Sequence, residues 1–172
     1  MMEADVKITE SDNIIQLKND DILRLKIVDR KGNDTGNYLE FDLSDIELPL
    51  VYQQIVEEDK KNRAYLKNQF TIIDKKEDHK GKKLLSSNEE AKIKAMAEFF
   101  KKEKILYDMF LGDNGVDKLL NGRKLTLNTL TEIDDIIENT ILPKMKINAK
   151  SVKEKIMSKY SIKEDKRDDV IE

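Results

Sequence analysis

Apolar and charged residues alternate through Ile22–Asp29 (ILRLKIVD), which puts Leu23, Leu25 and Ile27 on one face and Arg24 and Lys26 on the other. That is the period of a half-buried strand. Tyr38–Leu43 (YLEFDL) alternates in the same way, with Leu39, Phe41 and Leu43 opposite Glu40 and Asp42. The intervening Lys31–Gly36 (KGNDTG) is rich in residues that tolerate positive φ and predicts a turn. Upstream, Asn13–Leu17 (NIIQL) reads as a further strand before the turn-rich Lys18-Asn19-Asp20-Asp21. The pattern predicts two or three antiparallel strands. A lone hairpin is marginal in water, so its apolar face must rest on something else.

From Asp45 the period changes to three and four. Ser44 or Asp45 can cap a helix whose first turn holds Pro49, and its stripe runs through Val51, Tyr52, Ile55, Asp59, Asn62, Leu66, Phe70 and Ile73. The polar positions in mid-stripe predict a helix that is only partly covered. A second helix begins at Ser87 or Asn88, with Glu89 and Glu90 favourable to its dipole. It carries Ile93, Met96, Phe99, Phe100, Leu106, Tyr107 and Phe110, and stops at Gly112 or the Asp113-Asn114-Gly115 turn. A short helix over Val116–Leu120 follows. Another starts at Asn128, carries Leu130, Ile133, Ile137 and Ile141, and breaks at Pro143. Val152, Ile156 and Tyr160 then lie one helical turn apart.

The expected fold class is therefore α+β: a small N-terminal antiparallel β element of two or three strands packed on a mostly α-helical bundle. Residues 1–12 form an N-terminal extension and 13–148 a single domain, with the β element over 13–43 and the helical part over 45–148. A further amphipathic helix over 149–162 precedes a charged, disordered tail over 163–172.

Composition narrows the function more than the fold. Of the 172 residues, 39% are charged and 38% apolar, below the roughly 45–50% usual for globular domains, which leaves a modest core under a charged surface. Net charge is −3 with the signs interspersed, unlike the basic face of a nucleic-acid binder. The most basic stretch, Asp74–Lys83, sets five Lys against three acidic residues and reads as a mobile solvated loop. Cysteine is absent, which excludes disulfides, thiolate zinc sites and cysteine nucleophiles. There is neither a signal peptide nor an apolar run of about 18 residues, so an intracellular protein without a membrane span is expected.

Candidates for chemistry are few. The single histidine, His79, lies in the charged loop, where nothing positions a general base. The carboxylate groups Glu57-Glu58-Asp59, Asp113 with Asp117, and Asp134-Asp135 with Glu138 do not match a calcium loop and read as turn residues and solvated helix faces. Gly32, Gly36, Gly112, Gly115 and Gly122 are isolated turn glycines rather than a phosphate cradle. No enzyme, metal or cofactor is expected. The aromatics Phe99, Phe100, Tyr107 and Phe110 at helical spacing read as core, although the adjacent Phe99 and Phe100 diverge by about 100° around the helix.

One stretch is similar to a known family. Met109-Phe110-Leu111-Gly112-Asp113, then Leu119-Leu120-Asn121-Gly122, then Leu127, Leu130, Ile133 and Ile137 follow one another as in the tail assembly chaperones of long-tailed (siphovirus-type) phages and prophages of Gram-positive bacteria. Leu39-Glu40-Phe41-Asp42-Leu43-Ser44-Asp45 resembles the opening of that family. The likeness spans Asn37–Lys144. It departs at Asn114, inserted before Gly115, and at Asn121, where the family has an aromatic. The resemblance implies family-motif positions at Phe41, Phe100, Phe110, Leu111, Gly112, Gly115, Leu119 and Gly122, with structural or partner-contact roles.

It further implies a protein of the host bacterial cytoplasm that binds the helical tape measure protein and keeps it soluble while the tail tube polymerises, then leaves before the virion matures. The tail tube protein and self-association are admitted as further contacts; nucleic acid, membrane and cofactor are not called for. The alternative is a structural or adaptor component of a phage particle, or another interaction module of a mobile element. Phe110 and Leu111 are expected to belong to the framework, with exposed apolar residues of neighbouring helices meeting the client.

Overall fold

The computed structural model describes residues 7–9, 14–16 and 21–159. Two antiparallel hairpins come first: β1 (Lys7–Thr9) with β2 (Ile14–Gln16), and β3 (Ile22–Val28) with β4 (Asp34–Asp42). The described residues thus hold four strands rather than two or three. The additional one lies inside the segment read as an extension, because a three-residue strand is too short to show a period and is defined by its ladder (Ile8 opposite Ile15).

The β3–β4 turn is tighter than KGNDTG suggests. The Asp29 carboxylate accepts the N–H groups of Lys31 and Asn33, both at 2.8 Å, so the chain has turned by Asn33 and β4 begins at Asp34. The register then slips between Lys26 and Val28, and Gly36 takes φ +75° in the bulge. Beyond it the alternation holds, and Ile27, Leu39 and Phe41 are buried.

α1 (Leu48–Asp74) and α2 (Ser87–Leu111) form a long helical hairpin. At 1.5 Å per residue each is about 40 Å long. Neither Ser44 nor Asp45 caps α1: Asp42 holds Ser44 and Asp45 accepts from the Glu47 N–H, so both carboxylates shape the approach, and Pro49 occupies the first turn. Ser86 caps α2 in a reciprocal box with Glu89. The 74–83 loop is exposed but tied down. Asp78 accepts from the Asn88 N–H at 3.0 Å, and the Ser87 N–H donates to the His79 carbonyl at 2.9 Å.

After α2 come α3 (Gly115–Leu120), α4 (Leu127–Ile136) and α5 (Leu142–Lys159), the last two joined by a π-helical turn over Ile137–Ile141. Thr126 and Thr129 cap α4 reciprocally. The expected break at Pro143 does not occur. Leu142 donates to the Ile137 carbonyl, an i→i−5 bond, so hydrogen bonding is already displaced by one residue where the proline lacks its N–H. Ile133, Ile137, Ile141 and Met145, all buried, recur every four residues. Those three steps would drift about 120° around a regular α-helix, and the wider π turn keeps them on one face.

The separate helix expected over 149–162 is, as far as Lys159, the continuation of α5. The side chains of Val152 and Ile156, together with Tyr160 and the tail 163–172, lie outside the described residues. The outcome is an α+β fold in which the β3–β4 hairpin rests on α2 and α3.

Candidate functional site

The family-motif positions divide by burial. Phe41, Phe110 and Leu111 are buried, Phe100 and Leu119 half-buried. The Phe110 ring lies 5.6 Å from Phe41 and 5.4 Å from Tyr52, centroid to centroid, which joins the hairpin to both long helices. Gly112 ends α2 at φ +84°, and Gly122 takes φ +82° after α3. Gly115 is a close approach instead: a Cβ there would sit 2.4 Å from the Leu111 Cβ. Asp108 completes the joint by accepting the Val116 N–H at 2.8 Å. Phe41, Phe110 and Leu111 thus pack into the core, whereas Phe100 and Leu119 keep part of their surface open and Gly112 and Gly122 are exposed. Leu119 alone borders a cleft, shared with Val28, Lys31 and Arg123.

The exposed apolar positions lie elsewhere. Burial on α1 is confined to Tyr52 and Ile55 near its start and Ile73 near its end, and on α2 to positions from Phe99 onward. Between these the two helices form an arm along which Leu66 and Phe70 are only half-buried. Ile93, expected in the core stripe, is 52% exposed. Tyr65 and Ile72 are exposed on the facing helix. A cleft of about 310 Å³ lies between the two helices, lined by Asn62, Tyr65, Leu66, Gln69, Phe99 and Lys102, with the Lys102 ammonium 5.0 Å from the Tyr65 ring centroid; Ile72 and Ile93 are not part of its lining. Ile105 (69% exposed) and Met109 (63%) form a second apolar pair one turn apart on α2.

A polar cluster closes the base of the arm. Sequence periodicity put Asp59 and Asn62 on the α1 stripe, and they are there for a reason it did not supply. The Asn62 amide donates to Glu103 Oε1 at 2.7 Å, and Asp59 receives Arg63 Nε at 2.7 and 2.8 Å. From α4 and the π turn, Asp134 accepts the Tyr107 hydroxyl at 2.5 Å and Glu138 that of Tyr52 at 3.2 Å. Asp59, Asp134 and Glu138, which read as solvated helix faces, thus converge on one place.

Glu103 was missed altogether, although it lies four residues from both Phe99 and Tyr107 on the buried stripe. It is 0% exposed, and its Oε2 has no hydrogen-bond partner. Burial, opposed by Asn62 and reinforced by Asp59, pushes its carboxyl up to about 7. Burial also raises Asp134, against the hydrogen bond from Tyr107, and holds the Tyr52 and Tyr107 phenols protonated far above neutrality.

Tyr107→Phe removes the hydroxyl that donates to the half-buried Asp134 carboxylate. It is expected to cost about 1–3 kcal/mol in urea unfolding at pH 7; a loss below about 0.5 kcal/mol would show that Asp134 draws nothing from this bond. Among the described residues no group of three or more His, Cys, Asp or Glu side chains is placed to hold a metal ion, and no helix is long and apolar enough to cross a membrane. Comparisons with family models, with curated proteins and with solved structures return no match to this chain.

Proposed function

We propose that the protein is a tail assembly chaperone that binds the tape measure protein of a long-tailed phage and keeps it soluble until the tail tube polymerises. It works in the host bacterial cytoplasm, by binding alone, and leaves before the virion matures. The client's identity rests on the sequence resemblance. The observation that carries the binding role is the α1–α2 arm, which exposes Tyr65 at an open cleft also lined by Leu66 and Phe99. Two antiparallel helices with a shallow apolar seam gain most by accepting a third amphipathic helix, whose anchors at steps of three and four fill such a groove. A tape measure protein is long and helical, and offers that face repeatedly.

Co-expression with the long helical protein encoded beside it tests the reading. A co-purifying complex and a larger soluble fraction of the client are expected. Tyr65→Glu, at the cleft, should abolish both while changing the free chain's stability by roughly 0.5 kcal/mol or less, as for exposed positions generally. A client that is equally insoluble with and without the chain overturns the proposal. Recovery of the chain from purified virions at fixed stoichiometry would favour the structural or adaptor component instead.

A further inference from the structure

The hydrogen bonds around Glu103 leave one of its two oxygens out. From α1 it faces Asp59, Asn62 and Arg63, from its own helix Tyr107, and beyond them stand Asp134 on α4 and Glu138 on the π turn. Arg63 is the cation of this group, and Asp59 holds it through both oxygens. Asn62 serves Oε1, Tyr107 serves Asp134 and Tyr52 serves Glu138. Oε2 is left buried without a hydrogen-bond partner, and the neighbouring Asp59 is itself a carboxylate. Two carboxyl groups can bond to each other only if one carries a proton.

We propose that Glu103 is a proton-operated latch: its protonated carboxyl donates to Asp59 and clasps α1 to α2 at the base of the arm, and loss of that proton loosens the clasp. Once deprotonated, Glu103 would add a fully buried carboxylate to the half-buried Asp59 and Asp134 and the exposed Glu138, with Arg63 the cation beside them.

The direction of the pH response follows. The folded-state carboxyl lies at about 7, above its ordinary value of 4.5, so the folded chain binds the proton more tightly than the unfolded one. The latch therefore contributes fully below about pH 4.5, and its stabilisation is lost as pH rises through 7. The carboxylates of Asp29, Asp34, Asp78, Glu90 and Glu98 are shifted the other way, below their ordinary values, and complete their titration in more acid solution. Asp134 is raised as well, by burial, so the part of the response between pH 5.5 and 8 that belongs to Glu103 is the part that Glu103→Gln removes. The latch sits beneath the cleft that carries Tyr65, but its operation does not depend on what the arm binds.

Carboxyl-carbon NMR of the full chain, with Glu103 assigned by its absence in Glu103→Gln, tests the latch directly. A midpoint near 7 is expected, and one below 5 overturns it. Between pH 5.5 and 8 the melting temperature of the parent should fall by roughly 5 °C, while that of Glu103→Gln, whose amide can still donate to Asp59, stays level. Equal falls in the two proteins overturn the proposal. Should Glu103→Gln not fold, Asp59→Asn serves: it replaces a charge by a donor, so the Glu103 midpoint must drop by at least one unit, and an unmoved midpoint refutes the coupling. Amide protection over residues 59–66 and 99–107 should weaken with the same midpoint, while that of β3 and β4 holds; uniform loss across the chain would count against a local clasp.

Discussion

Phe110→Ala is expected to lower the unfolding free energy by about 3–5 kcal/mol, the range for truncating a buried phenylalanine. The ring is 3% exposed and touches Phe41 from the hairpin and Tyr52 from α1 while belonging to α2, so its loss opens a cavity where three elements meet. Neither neighbouring ring can relax into the space without leaving its own element. Against a typical total of about 5–15 kcal/mol, the variant would keep a fraction of its stability. Urea unfolding measures the loss, and Phe110→Leu should restore more than half of it. A loss under about 1.5 kcal/mol would mean that the β3–β4 hairpin is not seated through this ring.

Gly115→Ala is the second. The added Cβ would meet the Leu111 Cβ at 2.4 Å, and that atom is fixed to the backbone of α2, so no rotamer change can yield. The turn from Gly112 to Val116 must move instead, which strains the Asp108–Val116 hydrogen bond. Overpacking of this kind costs about 1–3 kcal/mol. Alanine's better helix propensity, worth about 1 kcal/mol, offsets part of it. A net loss of about 1–2 kcal/mol by thermal or urea unfolding is expected, and a stabilised variant would show that α3 can swing away from α2 freely.

Both sites fall in the stretch whose order of apolar and turn residues resembles the chaperone family, and both act there as framework. That role was legible: Phe110 and Leu111 stand at helical spacing, and Gly112 marks the end of the apolar run. What Gly115 is for was not, since a close approach between two segments leaves no trace in either. The arm was legible only as an interruption. Asp59 and Asn62 in the α1 stripe signalled incomplete covering, but not that the polar side chains meet Glu103, which requires knowing which turn of α2 lies opposite.

Local periodicity by itself determined the α+β class, the faces of β3 and β4, the two long helices and the helical joint at Gly112, because these depend on neighbours within a few residues. Tertiary structure alone decided the rest. It kept α5 continuous through Pro143 by a π turn that aligns a four-residue apolar repeat, left Ile93 outside the core, and set Asp59, Glu103, Asp134 and Glu138 against a single arginine. The physical reason is the same in each case: burial, and with it the cost of a charge or the worth of a methyl group, is set by residues far away in the chain, and a stripe of side chains does not say what it will face.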